Sequence, residues 1–514
     1  MKNRIIYLLI TSFALFSCGD FLEPKSKSEF VPKDVSSLNE LLLGEAYPTN
    51  GISSLNTFLN VLDDDVACAP FQETEVGQDR NRWWAVYSWQ PNMYELFKEA
   101  GLSPGNYNIY KSYYSLILGT NAVMDYIGDM NDEEGLTNLV TAQALTLRGF
   151  YYFTLVNLFG NPYYYNKDAD GVPLKLTSGI ENGNLERNTV SEVYNQILKD
   201  LLEAERLYKL APQEDQWKQN YRTSLPMVQL LLSRVYLYME DWQNAANYAD
   251  KVINDYNFKL LDLNEVADKG SNGRATYMNY YTYDSPEIIW LYGNIYDVTY
   301  MARETGAAKQ VIFKASDALV ASYEEAEGDL RKTRYIIREK TLRYDGGQVV
   351  NIPQAFSKIN VSSNYLPSGT TNFGRGLRLS EAYLNLSEAT AMLYKEKGDN
   401  SALTRSLNAI NTLRQFRFDR DSYKAENITD PEQLITFIRK ERRRELCFED
   451  HRWFDLRRWG MKEIKRIWYS GENSQDEYTL KENDPGFTLP LPPEAMEQNN
   501  ALDQNPLAPA PRTN

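Results

Sequence analysis

The 514-residue sequence predicts a mostly α-helical fold, a tetratricopeptide-like helical-repeat scaffold carrying a loop-rich ligand-binding face. Three observations lead there. Apolar residues recur at three- and four-residue steps over long segments, the mark of amphipathic helices. Several such segments are short and follow one another with almost no linker, as helix pairs do. Between them lie irregular stretches dense in Tyr, Trp, Asn and Gly, a composition that argues against disorder.

The chain opens with Lys2 and Arg4 followed by an apolar run from Ile5 to Phe16. That run is shorter than the ~20 residues needed to span a bilayer, and it reads as a signal peptide over residues 1–17. Ser17-Cys18 resembles a lipobox, in which Cys18 becomes the lipidated first residue of the mature protein, although Phe16 is bulkier than usual there. Residues 18–33 are polar and rich in Ser, Lys, Glu and Pro, as a tether would be. Residues 34–514 are read as one domain, with an N-terminal part over about 34–255 and a C-terminal part over about 256–514.

Within that domain, Tyr110, Tyr113, Tyr114, Ile117, Asn121, Met124 and Ile127 mark a first helix. Thr141–Gly160 is a long apolar second one that stops at Gly160-Asn161-Pro162. Asn188–Leu207 begins with Thr189 followed three residues later by Glu192, a capping-box pattern. Pro226–Met239 and Asp241–Ile253 follow in close succession, and Trp242, Ala245, Ala246 and Ala249 give the bulky-then-small pattern of tetratricopeptide helices. Arg378–Lys395 and Ser401–Gln415 are two more, and a last one starts at Asp430-Pro431, with Pro at the favoured first position. The intervening stretches Asp63–Gly105, Tyr163–Arg187, Leu260–Lys309 and Tyr344–Gly376 are expected to be irregular and to form the binding face.

Composition narrows the chemistry. The net charge of −15 disfavours nucleic acid, whose binding relies on Lys and Arg neutralising phosphates. The single histidine, His451, excludes multi-His metal sites, and its Arg-rich setting favours a structural role over a catalytic one. Three cysteines do not make a disulfide scaffold; with Cys18 acylated, only Cys68 and Cys447 could pair.

The stretch Phe437–Gly460 concentrates seven Arg, one Lys and five carboxylates. On a helix at ~100° per residue, Leu434, Phe437, Ile438 and Phe448 form one apolar stripe. Glu441 and Glu445 fall within it, flanked by Arg442 and Arg444. Carboxylates facing a core need partners, and the planar fork of Arg supplies them. The set is therefore read as structural ion pairing, with Arg452, Arg457 and Arg458 as further partners. The catalytic alternative makes Glu441 and Glu445 a glycosidase pair, but neighbouring Arg residues would depress both pKa values and spoil the general acid.

The pieces Ser17–Pro24, Ala142–Pro162, Glu186–Ala204, Leu230–Ile253, Leu377–Ala389, Glu441–Gly460, Leu489–Met496 and Asp503–Pro506, in this order, resemble the SusD/RagB family of Bacteroidetes-type outer-membrane nutrient-binding lipoproteins. The resemblance implies four tetratricopeptide-like helix pairs, a lipid anchor on the cell's outer face and no enzymatic activity. It implies capture of oligosaccharides, or of peptides in some members, and delivery to a SusC-like TonB-dependent outer-membrane transporter. A secreted glycoside hydrolase is the remaining reading. Glycan-holding members use exposed aromatics with a few polar groups, which suit sugar C–H faces and hydroxyls. The candidates here are Trp83, Trp84, Trp89, Asn92, Tyr281 and Tyr283; Trp89 and Asn92 resemble a Trp-and-Asn pair of starch-binding members. Trp290, in an apolar run, is expected in the core. No cofactor is expected. Asp63-Asp64-Asp65 offers oxygen ligands for Ca²⁺, but no EF-hand spacing follows, and the cluster is read as a solvated turn.

Overall fold

The computed structural model describes residues 32–48, 55–56, 58–70, 77–103, 107–130, 133–180, 184–218, 221–266, 280–293, 312–339, 344–345, 348–349, 354–356, 373–471 and 473–512. The expected signal peptide, Cys18 and nearly all of the tether lie outside the described residues.

The longer helices are α1 (Val35–Glu45), α2 (Gly77–Tyr87), α3 (Met93–Glu99), α4 (Ile109–Ile127), α5 (Glu134–Phe159), α6 (Val190–Leu210), α7 (Leu225–Tyr238), α8 (Trp242–Asn254), α9 (Leu379–Lys397), α10 (Asn400–Gln415), α11 (Pro431–Leu446) and α12 (Arg452–Arg458). Helix α4 packs on α5, α5 on α6, α6 on α7, α7 on α8, α8 on α9, and α9 on both α10 and α11. This is the stacking of successive helices that the paired pattern predicts.

Local chemistry sets the boundaries. Asp34 caps α1 through the Ser37 amide at 2.7 Å. Asn108, Asp241, Asp399 and Asp430 cap α4, α8, α10 and α11 in the same way. At the start of α6 the Thr189–Glu192 capping box is closed in both directions. Gly398 ends α9 in the left-handed conformation at φ +65°, which costs glycine little. Helix α5 is the axis of the core: from Ala142 to Phe159 every residue is buried, and Thr146 and Thr154 turn their hydroxyls back to carbonyls four residues earlier. On α8, Trp242, Ala245, Ala246 and Ala249 are all buried, so the small residues do face neighbouring helices. Gly119 of α4 meets the end of α1 so closely that a Cβ there would sit 2.4 Å from the Glu45 carbonyl oxygen.

Strands fill gaps between helices as two-stranded ladders. They include β1 (Val66–Cys68), β2 (Ile288–Tyr292), β3 (Phe313–Ala315), β4 (Arg375–Arg378), β5 (Ile464–Gly471) and β6 (Ser474–Leu480), and the pairs β1–β3, β2–β4 and β5–β6 are all antiparallel. Trp290 on β2 is fully buried, as expected.

The stretches expected to be irregular are not wholly so: Tyr163–Arg187 opens with the short helix Tyr163–Asn166, Leu260–Lys309 holds β2, and Tyr344–Gly376 holds short strands at Tyr344–Asp345, Gln348–Val349 and Gln354–Phe356. Asp63–Gly105 holds β1, α2 and α3 rather than loop alone. The first half of α2 is polar and its apolar residues are bunched near the end, so no helical period is legible in the sequence. Packing of Ala85, Val86 and Tyr87 into the core fixes it instead.

The C-terminal segment is tied back across the scaffold. Asn505 donates to the carbonyls of Phe159 (2.9 Å) and Leu489 (2.7 Å). Arg187 bridges the Phe159 carbonyl and the Asn505 side chain. These bonds satisfy the open C-terminal end of α5.

Candidate functional site

The six aromatic and amide candidates fall into two sets on different elements. Trp83 and Trp84 are half-buried on α2. Trp83 meets Phe97 edge-on, with ring centroids 6.3 Å apart. Trp84 donates its indole N–H to the Tyr478 hydroxyl at 3.0 Å. Asn92 is exposed at the N-cap of α3, and its side chain makes no capping bond. Trp89 is different: it is 3% exposed, donates to the Leu62 carbonyl at 2.9 Å and lies 3.8 Å from the Arg466 guanidinium, which covers its ring. In this conformation Trp89 has no free face for a sugar. Its φ of +52° places it in the left-handed region at the turn after α2.

Tyr281 and Tyr283 precede β2. Tyr281 is 2% exposed and packs with Ile288 and Leu291. Tyr283 is half-buried against Phe373. Exposure therefore separates the candidates: Trp83, Trp84, Asn92 and Tyr283 present surface, whereas Trp89 and Tyr281 are buried.

The Arg-rich stretch folds as α11, a tight turn and α12. Glu441 and Glu445 are both completely buried. Glu441 accepts hydrogen bonds from Arg331 and Arg444, each at 2.8 Å. Glu445 accepts from Arg378 at 2.6 Å, from Arg417 at 3.0 Å and from the Tyr335 hydroxyl at 3.1 Å. Burial pushes both carboxyls up, but the surrounding guanidinium groups outweigh it. Glu441 is held below the ordinary carboxylate range, and Glu445 well below it. Carboxyls held below the ordinary range are poorly suited to be the protonated acid that a glycosidase needs.

Arg442 and Arg444 both take part, with different partners. Arg444 pairs with Glu441 and also reaches Glu325 at 2.6 Å. Arg442 turns to Asp455 at 2.9 Å and Asn385 at 2.8 Å. Arg458 grips Glu388 in a two-pronged bond at 2.7 and 2.8 Å. Arg457 differs from the expected carboxylate pairing: it donates to the main-chain carbonyls of Asn157 and Gly160 at the end of α5. Among the described residues its hydrogen-bond acceptors include no carboxylate, and burial lowers its pKa to about 10.

The acidic cluster also differs from expectation. Asp63 and Asp65 are buried, so this is no solvated turn. Asp64 is bonded by Arg452 at 2.6 and 2.9 Å, and Asp65 by Arg443 at 2.6 Å. The carboxylate charge that invited a cation is met by two guanidinium groups from the Arg-rich stretch. His451 is buried with its Nδ1 3.4 Å from Arg442, a structural setting. Cys68 and Cys447 are both buried; Cys68 Sγ accepts from Arg80 at 2.8 Å, and Cys447 Sγ lies 3.3 Å from the Tyr323 hydroxyl.

Two segments of the sequence match described families. Residues 20–237 match "Starch-binding associating with outer membrane", and residues 352–507 match "SusD family". The chain belongs to the SusD/RagB family. It is similar to the SusD-like protein P2 of Formosa agariphila, with 25% identity covering 76% of this chain and 79% of that one. Among solved structures it is similar to a SusD superfamily protein of Bacteroides thetaiotaomicron, at 20% identity and TM-score 0.68, covering 92% of this chain and all of that one. A SusD-like carbohydrate binding protein of Bacteroides vulgatus matches at 21% identity and TM-score 0.62, covering 88% of this chain and 90% of that one.

The ion pairs join the two SusD-matching segments to each other and to the chain between them. Arg234 in the first grips Glu381 in the second at 2.6 Å through two bonds. Glu287 and Arg331, which lie between the segments, pair with Arg417 and Glu441 of the second. Sequence reasoning missed Glu287, Arg331, Arg378 and Arg417, because each partner is distant along the chain. The only sequence signal was the surplus of Arg over carboxylates around Glu441. No helix among the described residues is long and apolar enough to cross a membrane.

Proposed function

We propose that this chain is a cell-surface lipoprotein, anchored through Cys18, that captures oligosaccharides and delivers them to a SusC-like TonB-dependent outer-membrane transporter without cutting them. Membership of the SusD/RagB family supports the role. The observation that carries the binding reading over the hydrolase reading is the ion-pair centre. Its carboxylates are enclosed and held ionised by Arg331, Arg378, Arg417 and Arg444, so they serve the scaffold rather than a substrate. Ligand contact falls to the candidates that present surface, Trp83, Trp84, Asn92 and Tyr283. A half-exposed indole offers a sugar its apolar face while the amide bonds to a hydroxyl.

The test combines a glycan array, a peptide panel and an assay for released reducing sugar on the mature protein. Oligosaccharide binding without sugar release, weakened by Trp83→Ala in a variant that remains folded, is the expected result. Peptide binding alone would move the chain to the peptide-capturing members, and sugar release would end the binding-protein reading. Palmitate labelling of cells expressing the full chain and its Cys18→Ser variant tests the anchor: label is expected on the first and absent from the second. A TonB-dependent transporter encoded beside this chain is the expected genomic setting.

A further inference from the structure

The turn between α2 and α3 is held from outside by Arg512, more than 400 residues further along the chain. Trp89, in that turn, has a φ of +52°. A side chain crowds its own backbone there, and such a conformation persists only where the surroundings impose it. The indole bond to Leu62 and the cover of Arg466 impose it from one side. From the other, Arg512 Nε donates to the Trp89 carbonyl at 2.9 Å. Gln90, the next residue, is 2% exposed and has both ends of its amide engaged. Its Oε1 accepts from the Arg512 amide at 2.9 Å, and its Nε2 donates to the Arg512 carbonyl at 3.0 Å and to Ser88 Oγ at 3.0 Å. Ser88 Oγ in turn donates to the Trp84 carbonyl at 2.7 Å.

Arg512 is itself anchored. Its Nη1 donates to Asp484 at 2.9 Å, and its Nη2 bonds the other oxygen of the same carboxylate. Asp484 is fixed in place by accepting from the Gly486 amide at 2.7 Å. The two side chains are 11% and 8% exposed, so this two-pronged, charge-assisted pair is largely withdrawn from water. A continuous line of bonds therefore runs from Asp484 through Arg512, Gln90 and Ser88 to the backbone of Trp84. On one side of the turn stand the half-buried Trp83 and Trp84 of α2; on the other, Asn92 is exposed at the start of α3. The turn sets the spacing between the indoles and the amide.

We propose that Arg512 is a positioning residue of the oligosaccharide face: by clasping Trp89 and Gln90 it holds Asn92 in register with Trp83 and Trp84. The inference rests on the reading above that these three side chains meet the sugar. Arg512 acts through the turn and not on the ligand. An indole face and an amide bind a sugar well only when both are already placed for its ring and its hydroxyl. A turn free to relax out of the left-handed conformation would shift one against the other, and binding would then have to restore the order.

The test takes the mature protein through an array of α-glucan, β-glucan, xylan and mannan oligosaccharides. Calorimetric titration with the oligosaccharide that the parent binds best follows, with hydrogen exchange read at the amides of residues 84–93. Arg512→Lys keeps a charge for Asp484 but cannot reach the Trp89 carbonyl at the same time; Gln90→Ala cuts the line of bonds at its middle. Both are expected to weaken binding by roughly three- to tenfold, as the loss of one or two hydrogen bonds would. Both should speed exchange over 84–93, and Arg512→Lys should melt with the parent. Because the two act on one line, the double variant is expected to bind no more weakly than the weaker-binding single one. Arg206→Ala, which loses an exposed ion pair on α6, is the control and should bind as the parent does. Parent-like affinity in Arg512→Lys or Gln90→Ala, weakened binding without faster exchange at 84–93, a loss of affinity only where the melting temperature also falls, or an equal loss in Arg206→Ala would each overturn the inference and leave the oligosaccharide reading standing. A parent that binds no oligosaccharide would instead remove that reading, and this inference with it.

Discussion

Replacing Glu445 by Ala is the sharpest probe of the buried centre. The substitution removes a carboxylate that is 0% exposed and bonded by Arg378, Arg417 and Tyr335, with Arg331 3.5 Å away. Three guanidinium groups would then crowd a site with one fewer countercharge. Removing one member of a buried pair costs about 3–5 kcal/mol, since the other is left charged and desolvated. Here Arg378 keeps Glu449 and Glu287, and Arg417 keeps Glu287, so the lower end applies, about 3 kcal/mol. In a chain of this length each kcal/mol moves the melting temperature by about 1 °C, giving a fall of about 3 °C. Differential scanning calorimetry reads it. The control is Glu482→Ala, whose pair with Lys462 has side chains 51% and 73% exposed and is worth at most about 1 kcal/mol. If Glu445→Ala melts within a degree of the parent, the centre does not hold the scaffold together and the reasoning fails. Glu445→Gln extends the test: it keeps the shape but not the charge, and a fall comparable to that of Glu445→Ala is expected.

Further outcomes follow from the same contacts. Trp89→Ala is expected to destabilise by about 3–5 kcal/mol, because it empties a packed site and uncovers Arg466, so its melting temperature should drop further than that of Trp83→Ala, where a half-buried ring is lost. Acid should unfold the chain through its depressed carboxylates. Glu388, raised by burial but lowered further by Arg458, Arg439 and Arg442, sits at about 2 against an ordinary 4.5, so the folded state binds fewer protons than the unfolded one. Its stabilisation is complete above pH 4.5 and is lost as pH falls towards 2; denaturant midpoints measured from pH 6 to pH 2 should fall, and less steeply in Glu388→Gln. Asp63 runs the other way: burial, then Asp65 and Asp64, raise its carboxyl well above 3.8, so its ionisation destabilises the fold as pH rises. Asp63→Asn is therefore expected to raise the melting temperature at neutral pH. Gly119→Ala should lower it, because the new methyl would meet the Glu45 carbonyl at 2.4 Å unless α1 shifts.

The helical frame was legible because its signals are local. A capping box, an Asp-Pro start and an apolar period each involve residues within one or two turns, and α4 through α11 appear close to where those signals place them. Helices α2 and α3 were not legible, because the apolar residues of α2 are bunched at its end and α3, at seven residues, is too short to set a period. The ion-pair centre was half legible. The burial of Glu441 and Glu445 followed from their place in the apolar stripe, but Arg331, Arg378 and Arg417 lie far away in sequence. The binding candidates show the opposite failure: residue type suggested contact, yet exposure decides it. Trp83 and Trp89 are alike in sequence, but the left-handed turn at Trp89 drives its ring beneath Arg466.

The use of Arg explains how one scaffold can carry a varied face. Arg457 bonds to main-chain carbonyls at the end of α5 and Arg466 to those of Val61 and Asp63, and Arg378 and Arg417 converge with Arg331 on Glu445 from separate parts of the chain. Such bonds demand the position of a backbone or a carboxylate and nothing of the side chains between. The segments they pin can therefore change sequence without loosening the frame. If Trp83 belongs to the proposed binding face, its substitution should alter affinity, while substitutions at Glu445, enclosed by Arg378, Arg417 and Tyr335, should alter only stability.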